Sequence, residues 1–208
     1  GLNWSEPTLL NLKEENEQTL LVGPGNGTYH ESNGHMIFTA YEHSSGYERT
    51  SLIWMDSEGN WSRSEDATGY SNWSSEASAV VLEDGTVRVF YRSGSTTLCY
   101  TDYLWVNGEY VRDENNTSVS TEAVKNAGNG CMLSAVLYPE KINGKEMIFV
   151  ATPATSNSRS DGHVYGFYVN GDGSMELVAD YDITPYAAEY YAYSCLTVLT
   201  QGEEAGDL

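Results

Sequence analysis

The 208-residue sequence predicts an all-β protein, and three observations carry the prediction. Short runs rich in β-branched and aromatic residues recur along the chain. Asn-Gly and Asp-Gly pairs fall between them, and such pairs accept the positive φ that tight hairpins require. Helix signals are scarce: only "KEENEQ" (13–18) and "TEAVKNAG" (121–128) read as short, peripheral helices.

In chain order the runs of strand or hairpin length are "HMIFTAY" (35–41), "TSLIWM" (50–55), "SAVVLEDGTVRVFYR" (78–92), "TLCYTDYLWV" (97–106), "LSAVLYP" (133–139), "EMIFVATP" (146–153), "HVYGFYV" (163–169), "MELVADY" (175–181) and "SCLTVL" (194–199). Turn chemistry marks the joints at Asn33-Gly34, Asp84-Gly85, Asn107-Gly108, Asn143-Gly144 and Asp172-Gly173. Apolar runs able to open a sheet begin near His35, Ser78, Leu133 and Ser194. Their intervals of about 40 to 60 residues match a four-stranded propeller blade. A β-sandwich spaces its strands similarly, so pattern alone leaves both architectures open.

Thirty acidic residues against ten basic ones give a net charge of −20. That balance excludes a nucleic-acid partner, because phosphate binding needs a basic face. It argues equally against an anionic membrane surface. No run of about 18 apolar residues is present, so no membrane span is expected, and the N-terminus reads as no leader segment. The length suits one domain over 1–208 or a part of a larger all-β domain. Cys99, Cys131 and Cys195 sit in or beside apolar runs and read as small buried hydrophobes rather than metal ligands. The histidines His30, His35, His43 and His163 show no metal spacing, so neither metal nor cofactor is expected. Six glycosylation sequons, at Asn3, Asn26, Asn60, Asn72, Asn115 and Asn116, matter only in a secretory eukaryotic host.

Two turns resemble degraded forms of the S-x-D-x-G-x-x-W hairpin of sialidase propellers: "MDSEGNW" (55–61) and "YVNGDGSM" (168–175). Four further segments resemble motifs of bacterial exo-α-sialidases, in family order. They are "GPGNG" (23–27), "EASAVVLEDGTVRVFYRSG" (76–94), "CMLSAVLYP" with "ATPATSNSR" (131–139 and 151–159), and "YSCLTVL" (193–199). The chain therefore resembles the C-terminal half of a catalytic domain of glycoside hydrolase family 33. The implied fold is a partial six-bladed β-propeller with about three to four four-stranded blades.

The resemblance also implies a site. The anomeric carbon of sialic acid bears a carboxylate, and guanidinium forks match a carboxylate bidentately. Arg92 and Arg159 match two of the three family arginines that clamp it, whereas Arg88 on the same strand as Arg92 reads as solvated. A carboxylate nucleophile would be repelled by this substrate, and sialidases use a tyrosine instead. Tyr193 matches that nucleophile and Glu76 the glutamate that draws off its proton, with Tyr186, Tyr190 and Tyr191 as nearby decoys. Tyr29 stands near where the family carries a glutamine beside the sugar, and is read as lining the pocket. The first family arginine, the Asp general acid/base and the acetamido pocket have no match in this chain.

The implied activity is hydrolysis of terminal sialic acid from glycoconjugates through a tyrosyl intermediate, with this fragment inactive on its own. A non-catalytic sialoside-binding or scaffold module is the alternative. The implied partners are sialylated glycan or free sialic acid, a missing N-terminal half, or further copies paired through open sheet edges. Secretion or display at a bacterial cell surface follows from the family alone.

Overall fold

The computed structural model describes residues 6–44, 46–68, 73–117, 119–125, 131–155, 158–184, 190–202 and 204–208. Sequons Asn3 and Asn72 and the decoy Tyr186 lie outside these residues, as does the end of "TEAVKNAG". Three antiparallel sheets follow one another along the chain. The first contains β1 (Thr19–Val22), β2 (Thr28–His30), β3 (His35–Ser44), β4 (Tyr47–Met55) and β5 (Trp61–Arg63), with β1 and β2 both paired to β3. The second contains β6 (Ser74–Val81), β7 (Val87–Ser93), β8 (Thr97–Val106), β9 (Glu109–Arg112) and β10 (Val119–Lys125), with β9 and β10 both paired to β8. The third runs β11 (Ser134–Leu137), β12 (Met147–Pro153), β13 (Gly162–Val169) and β14 (Met175–Asp182) in simple order.

The middle sheet is covered on both faces. Strand side chains alternate in direction, so Ala77, Ala79, Val87, Val89 and Tyr91 pack with Ile37, Leu52 and Trp54 of the first sheet. Val80, Leu82, Phe90, Leu98 and Tyr100 turn the other way, onto Ala135, Ile148, Val150 and Phe167 of the third. Each large apolar side chain buried completely, such as Phe90 or Ile148, contributes roughly 2 kcal/mol. Strand β6 lies against β3 and β4 on one side and β11 on the other, so the sheets stack as successive blades rather than as the two layers of a sandwich.

The hairpin turns repeat one device. Asp56 Oδ1 accepts the amides of Glu58 and Asn60, Asp84 Oδ1 that of Thr86, and Asp172 Oδ1 that of Ser174. A glycine follows each aspartate at positive φ: Gly59 at 89°, Gly85 at 89° and Gly173 at 80°. An L-residue there would be strained.

Several expectations are corrected. "KEENEQ" forms a turn, not a helix: Glu17 is buried and its carboxylate is held by the Glu14 amide and Arg63, which pins the segment before β1. Over its described part, "TEAVKNAG" lies in β10, where the ladder to β8 and the complete burial of Val124 override helix propensity. "SCLTVL" forms no strand. It lies along the third sheet through side-chain bonds, Leu196 N–H to Ser134 Oγ (2.8 Å) and Ser194 Oγ to the Ala151 carbonyl (3.4 Å). The described sheets therefore number three, the lower end of the expected range.

Arg88 is not solvated either: it is fully buried and donates to both Asp102 oxygens (2.8 and 2.7 Å) and to the Gly173 carbonyl (2.6 Å) of the next sheet. Cys99 and Cys131 are buried as expected, whereas Cys195 is exposed. Among the described residues no helix is long and apolar enough to cross a membrane.

Candidate functional site

Glu76 owes its direction to a β-bulge. Ser75 pairs with Arg92 and Ala77 with Tyr91, so Glu76 is the extra residue between two ladder rungs. Bulges bend a strand and re-aim one side chain. Glu76 sits at φ 20°, and the equally unusual φ of Tyr193 is 55°. Left-handed backbone costs a non-glycine residue about 1–2 kcal/mol, which surrounding contacts must offset.

Those contacts bring the two residues together. Tyr193 Oη donates to Glu76 Oε1 at 2.6 Å across a sequence separation of 117 residues. Arg92 Nη1 donates to the other oxygen, Oε2, at 2.7 Å. The Arg159 guanidinium carbon lies 5.4 Å from the centroid of the Tyr193 ring, and that of Arg92 lies 5.3 Å from the Trp73 ring. Both distances fall within cation–π range. The Glu76 and Arg92 side chains are largely sheltered, at 10% and 20% exposure, while Tyr193 is 47% exposed. One rim thus holds a phenol, a carboxylate and two guanidiniums.

The phenol is held in its protonated form. The hydrogen bond to Glu76, then burial, then the Glu76 charge push the Tyr193 pKa up, and Arg92 and Arg159 pull it partly back. The resting site therefore keeps its proton on Tyr193 and within 2.6 Å of an acceptor. Arg159 is held above its usual range by a hydrogen bond to Tyr190, and Ser160 and Tyr190 form an isolated bridge. Burial raises the Cys131 thiol, which also hydrogen-bonds the Tyr193 backbone.

The chain segment that carries Tyr193 is fixed from three sides. Asn26, in the Gly-rich loop before β2, donates to the Leu196 carbonyl (3.1 Å), and its Oδ1 accepts the Cys195 thiol (3.3 Å). The Tyr191 ring packs so closely on Gly162 that a Cβ there would approach it to 2.4 Å. Ser134 and Ala151 hold the same segment from the third sheet.

Of the residues singled out in the sequence, Glu76, Arg92, Arg159 and Tyr193 share this rim, and Tyr29 does not. Tyr29 is 53% exposed on β2 and lines a separate groove of about 960 Å³ with His30, Glu83, Gly85 and Tyr138. The reason is register: β2 pairs with residues 35–37 of β3, whereas Thr39 is the β3 residue whose hydroxyl reaches the Ala77 carbonyl beside Glu76. Sequence reasoning missed Trp73, Cys131 and Tyr41. Tyr41 lies near enough to Glu76 and Arg92 for both charges to act on its phenol, which burial and Glu76 raise. Trp73 was detectable, since it stands three residues before Glu76 in an otherwise small and polar stretch.

Among the described residues, one cluster outside the rim has metal-ligand chemistry. Asp161, His163 and Asp182 bring ligand atoms within 4.8 Å of one another. The imidazole is already engaged by two carboxylates, Asp180 at 2.5 Å and Asp161 at 3.5 Å, and Asp182 accepts the Thr184 amide at 2.9 Å.

Comparison with known proteins follows the same lines. No family model matches the chain. It is 31% identical over 202 residues to sialidase B of Streptococcus pneumoniae, covering 96% of this chain and 28% of the relative. It is 27% identical over 216 residues to an anhydrosialidase of Macrobdella decora, covering 98% and 27%. Among solved structures, the NanB sialidase of Streptococcus pneumoniae superposes with a TM-score of 0.75 at 25% identity, covering 91% of this chain and 28% of that one. A leech intramolecular trans-sialidase complexed with 2,7-anhydro-Neu5Ac superposes with a TM-score of 0.74 at 27% identity, covering 88% and 27%. The chain spans about a quarter of the length of the curated relatives it matches. With its all-β blades and its ordered motifs, it is a sialidase-like segment of glycoside hydrolase family 33, corresponding to part of the catalytic propeller.

Proposed function

We propose that this segment carries the nucleophile side of a retaining exo-sialidase site. The observation that carries the reading is the Tyr193–Glu76 hydrogen bond of 2.6 Å, flanked by Arg92 and Arg159. In this reading the two guanidiniums hold the carboxylate of a terminal sialic acid and set its anomeric carbon against Tyr193 Oη. The phenol oxygen attacks that carbon, its proton passes to Glu76, and the bond to the aglycone breaks. The aglycone oxygen takes its proton from an acid that the rest of the ring supplies. Water then attacks the same carbon, giving up a proton to the conjugate base of that acid, and the leaving phenolate recovers the proton from Glu76. Two inversions give net retention. A tyrosine suits the role because its neutral resting form is not repelled by the anionic sugar.

With one clamp arginine and the acid outside it, the segment alone is expected to show negligible turnover of a fluorogenic sialoside. Robust turnover by the pure 208-residue chain would overturn that expectation. With the remaining blades supplied, a fluorinated sialosyl fluoride should label one peptide, and mass spectrometry should place the adduct on Tyr193. Labelling at Glu76 or at another tyrosine would sink the assignment.

A second reading concerns the acceptor. The anhydrosialidase and the intramolecular trans-sialidase among the relatives favour attack by a hydroxyl of the sugar itself instead of water. Product analysis separates the two, as free sialic acid or its 2,7-anhydro form. A non-catalytic sialoside-binding module remains the reading to adopt if the complete ring binds free sialic acid and turns nothing over. The same reading places the protein outside the cell or at its surface, with sialylated glycans as partners.

A further inference from the structure

Glu76 has two tasks in the proposed reaction, and they conflict. It anchors Arg92 through a charge pair at 2.7 Å, and it must accept the Tyr193 proton. Once protonated, the carboxyl no longer attracts the guanidinium as an anion does. A contact whose attraction does not depend on that proton then helps to keep Arg92 in place when the sugar carboxylate most needs a fixed partner.

The structure supplies one. The Arg92 guanidinium carbon lies 5.3 Å from the Trp73 ring centroid, and Trp73 precedes β6 by one residue, three before Glu76. An indole face is the strongest aromatic partner for a cation, and its attraction does not depend on the protonation of a neighbour. Trp73 is also half-buried, so its ring is partly fixed by packing. The bulge at Glu76 sets the spacing, because it leaves Arg92 paired with Ser75 and so beside the start of β6.

We infer that Trp73 is a positioning residue for Arg92, holding the guanidinium in place through the step in which Glu76 is protonated. This rests on the proposed role of Arg92 as carboxylate clamp, though the positioning itself is measurable without substrate.

The test uses the 208-residue chain and the variants Trp73→Ala and Trp73→Phe, with Arg92→Lys to assign the signal. In the parent chain the Arg92 Nε–H resonance should be resolved in nitrogen-edited NMR and shifted by the indole ring current. Trp73→Phe should largely keep it, and Trp73→Ala should lose it, with the rest of the spectrum unchanged. Free sialic acid should bind about 10-fold more weakly to Trp73→Ala and within about 3-fold of the parent to Trp73→Phe. An Arg92 signal unchanged in Trp73→Ala overturns the inference, as does parental affinity in that variant. If Arg92→Lys binds sialic acid as the parent does while Trp73→Ala still loses the Arg92 signal, the positioning stands and the clamp reading fails.

Discussion

Arg88 and Arg92 stand on the same strand, four residues apart, and have opposite surroundings. Arg88 is closed off between the second and third sheets, with a bidentate Asp102, the Gly173 carbonyl and the Tyr100 face (4.3 Å) as its partners. Arg92 stands at the rim, 20% exposed, against Glu76 and Trp73. The first is a joint between blades and the second part of a site. The difference teaches that the strand residue itself does not decide an arginine's role. What decides it is whether the neighbouring sheet covers that rung of the ladder.

The comparison is broken most sharply at the rim. With the ring completed, Tyr193→Phe should lower turnover by about 10⁴-fold, roughly 5 kcal/mol of barrier. It should leave thermal stability almost unchanged, because Tyr193 is 47% exposed. A variant that lost both together would show that Tyr193 is structural.

The joint should respond the other way. Arg88→Ala leaves Asp102 buried and unpaired, and should cost roughly 3–5 kcal/mol in a denaturant titration. Replacing the pair together, Arg88→Met with Asp102→Leu, should recover most of that loss. If Arg88→Ala cost less than about 1 kcal/mol, Arg88 would be a passenger rather than a joint.

A third ionic cluster sharpens the contrast through pH. In the first sheet Glu42 is 5% exposed beside Arg49 (2.7 Å). Burial first, then the hydrogen bond with Glu17, push its pKa from 4.5 up to about 7. Glu17 moves down instead: burial works upward, but hydrogen bonds from Glu42, the Glu14 amide and Arg63 outweigh it. The proton therefore sits on Glu42. A carboxyl raised in the folded state contributes stability that is full below its unfolded pKa and lost as pH rises through its folded one. Between about pH 5 and 8 stability should fall by on the order of 2–3 kcal/mol, and Glu42→Gln should flatten the profile. A flat profile in the parent chain would sink the shared-proton account.

Much of the architecture was legible because it is local. Eight of the nine strand-length runs form strands, nine of the fourteen described, since alternation, β-branched residues and Asx turns act over a few residues; the short edge strands β1, β2, β5 and β9, and β10, fall outside them. "SCLTVL" and "TEAVKNAG" were misread for one shared reason: strand and helix propensities are weak, and the availability of a ladder partner overrides them. Thr121 and Lys125 had β8 to pair with, whereas the Leu196 backbone is met by the side chains of Ser134 and Asn26. At the site, Glu76, Arg92, Arg159 and Tyr193 were named from ordered motifs, whereas Tyr29 was placed by proximity in sequence to a glycine-rich loop. The register of β2 against residues 35–37 carries it to a different groove.

The sequence by itself determined the all-β class, the positions of the turns and the ordered motifs that single out Glu76, Arg92, Arg159 and Tyr193, because these follow from short-range pattern and from motif order. Tertiary structure alone decided that Glu76 projects from a bulge, that Tyr193 reaches it across 117 residues, and that Arg88 is buried while Arg92 is not. Each of those outcomes depends on which sheet packs against which, and packing between distant segments leaves no mark in the local spacing of residues.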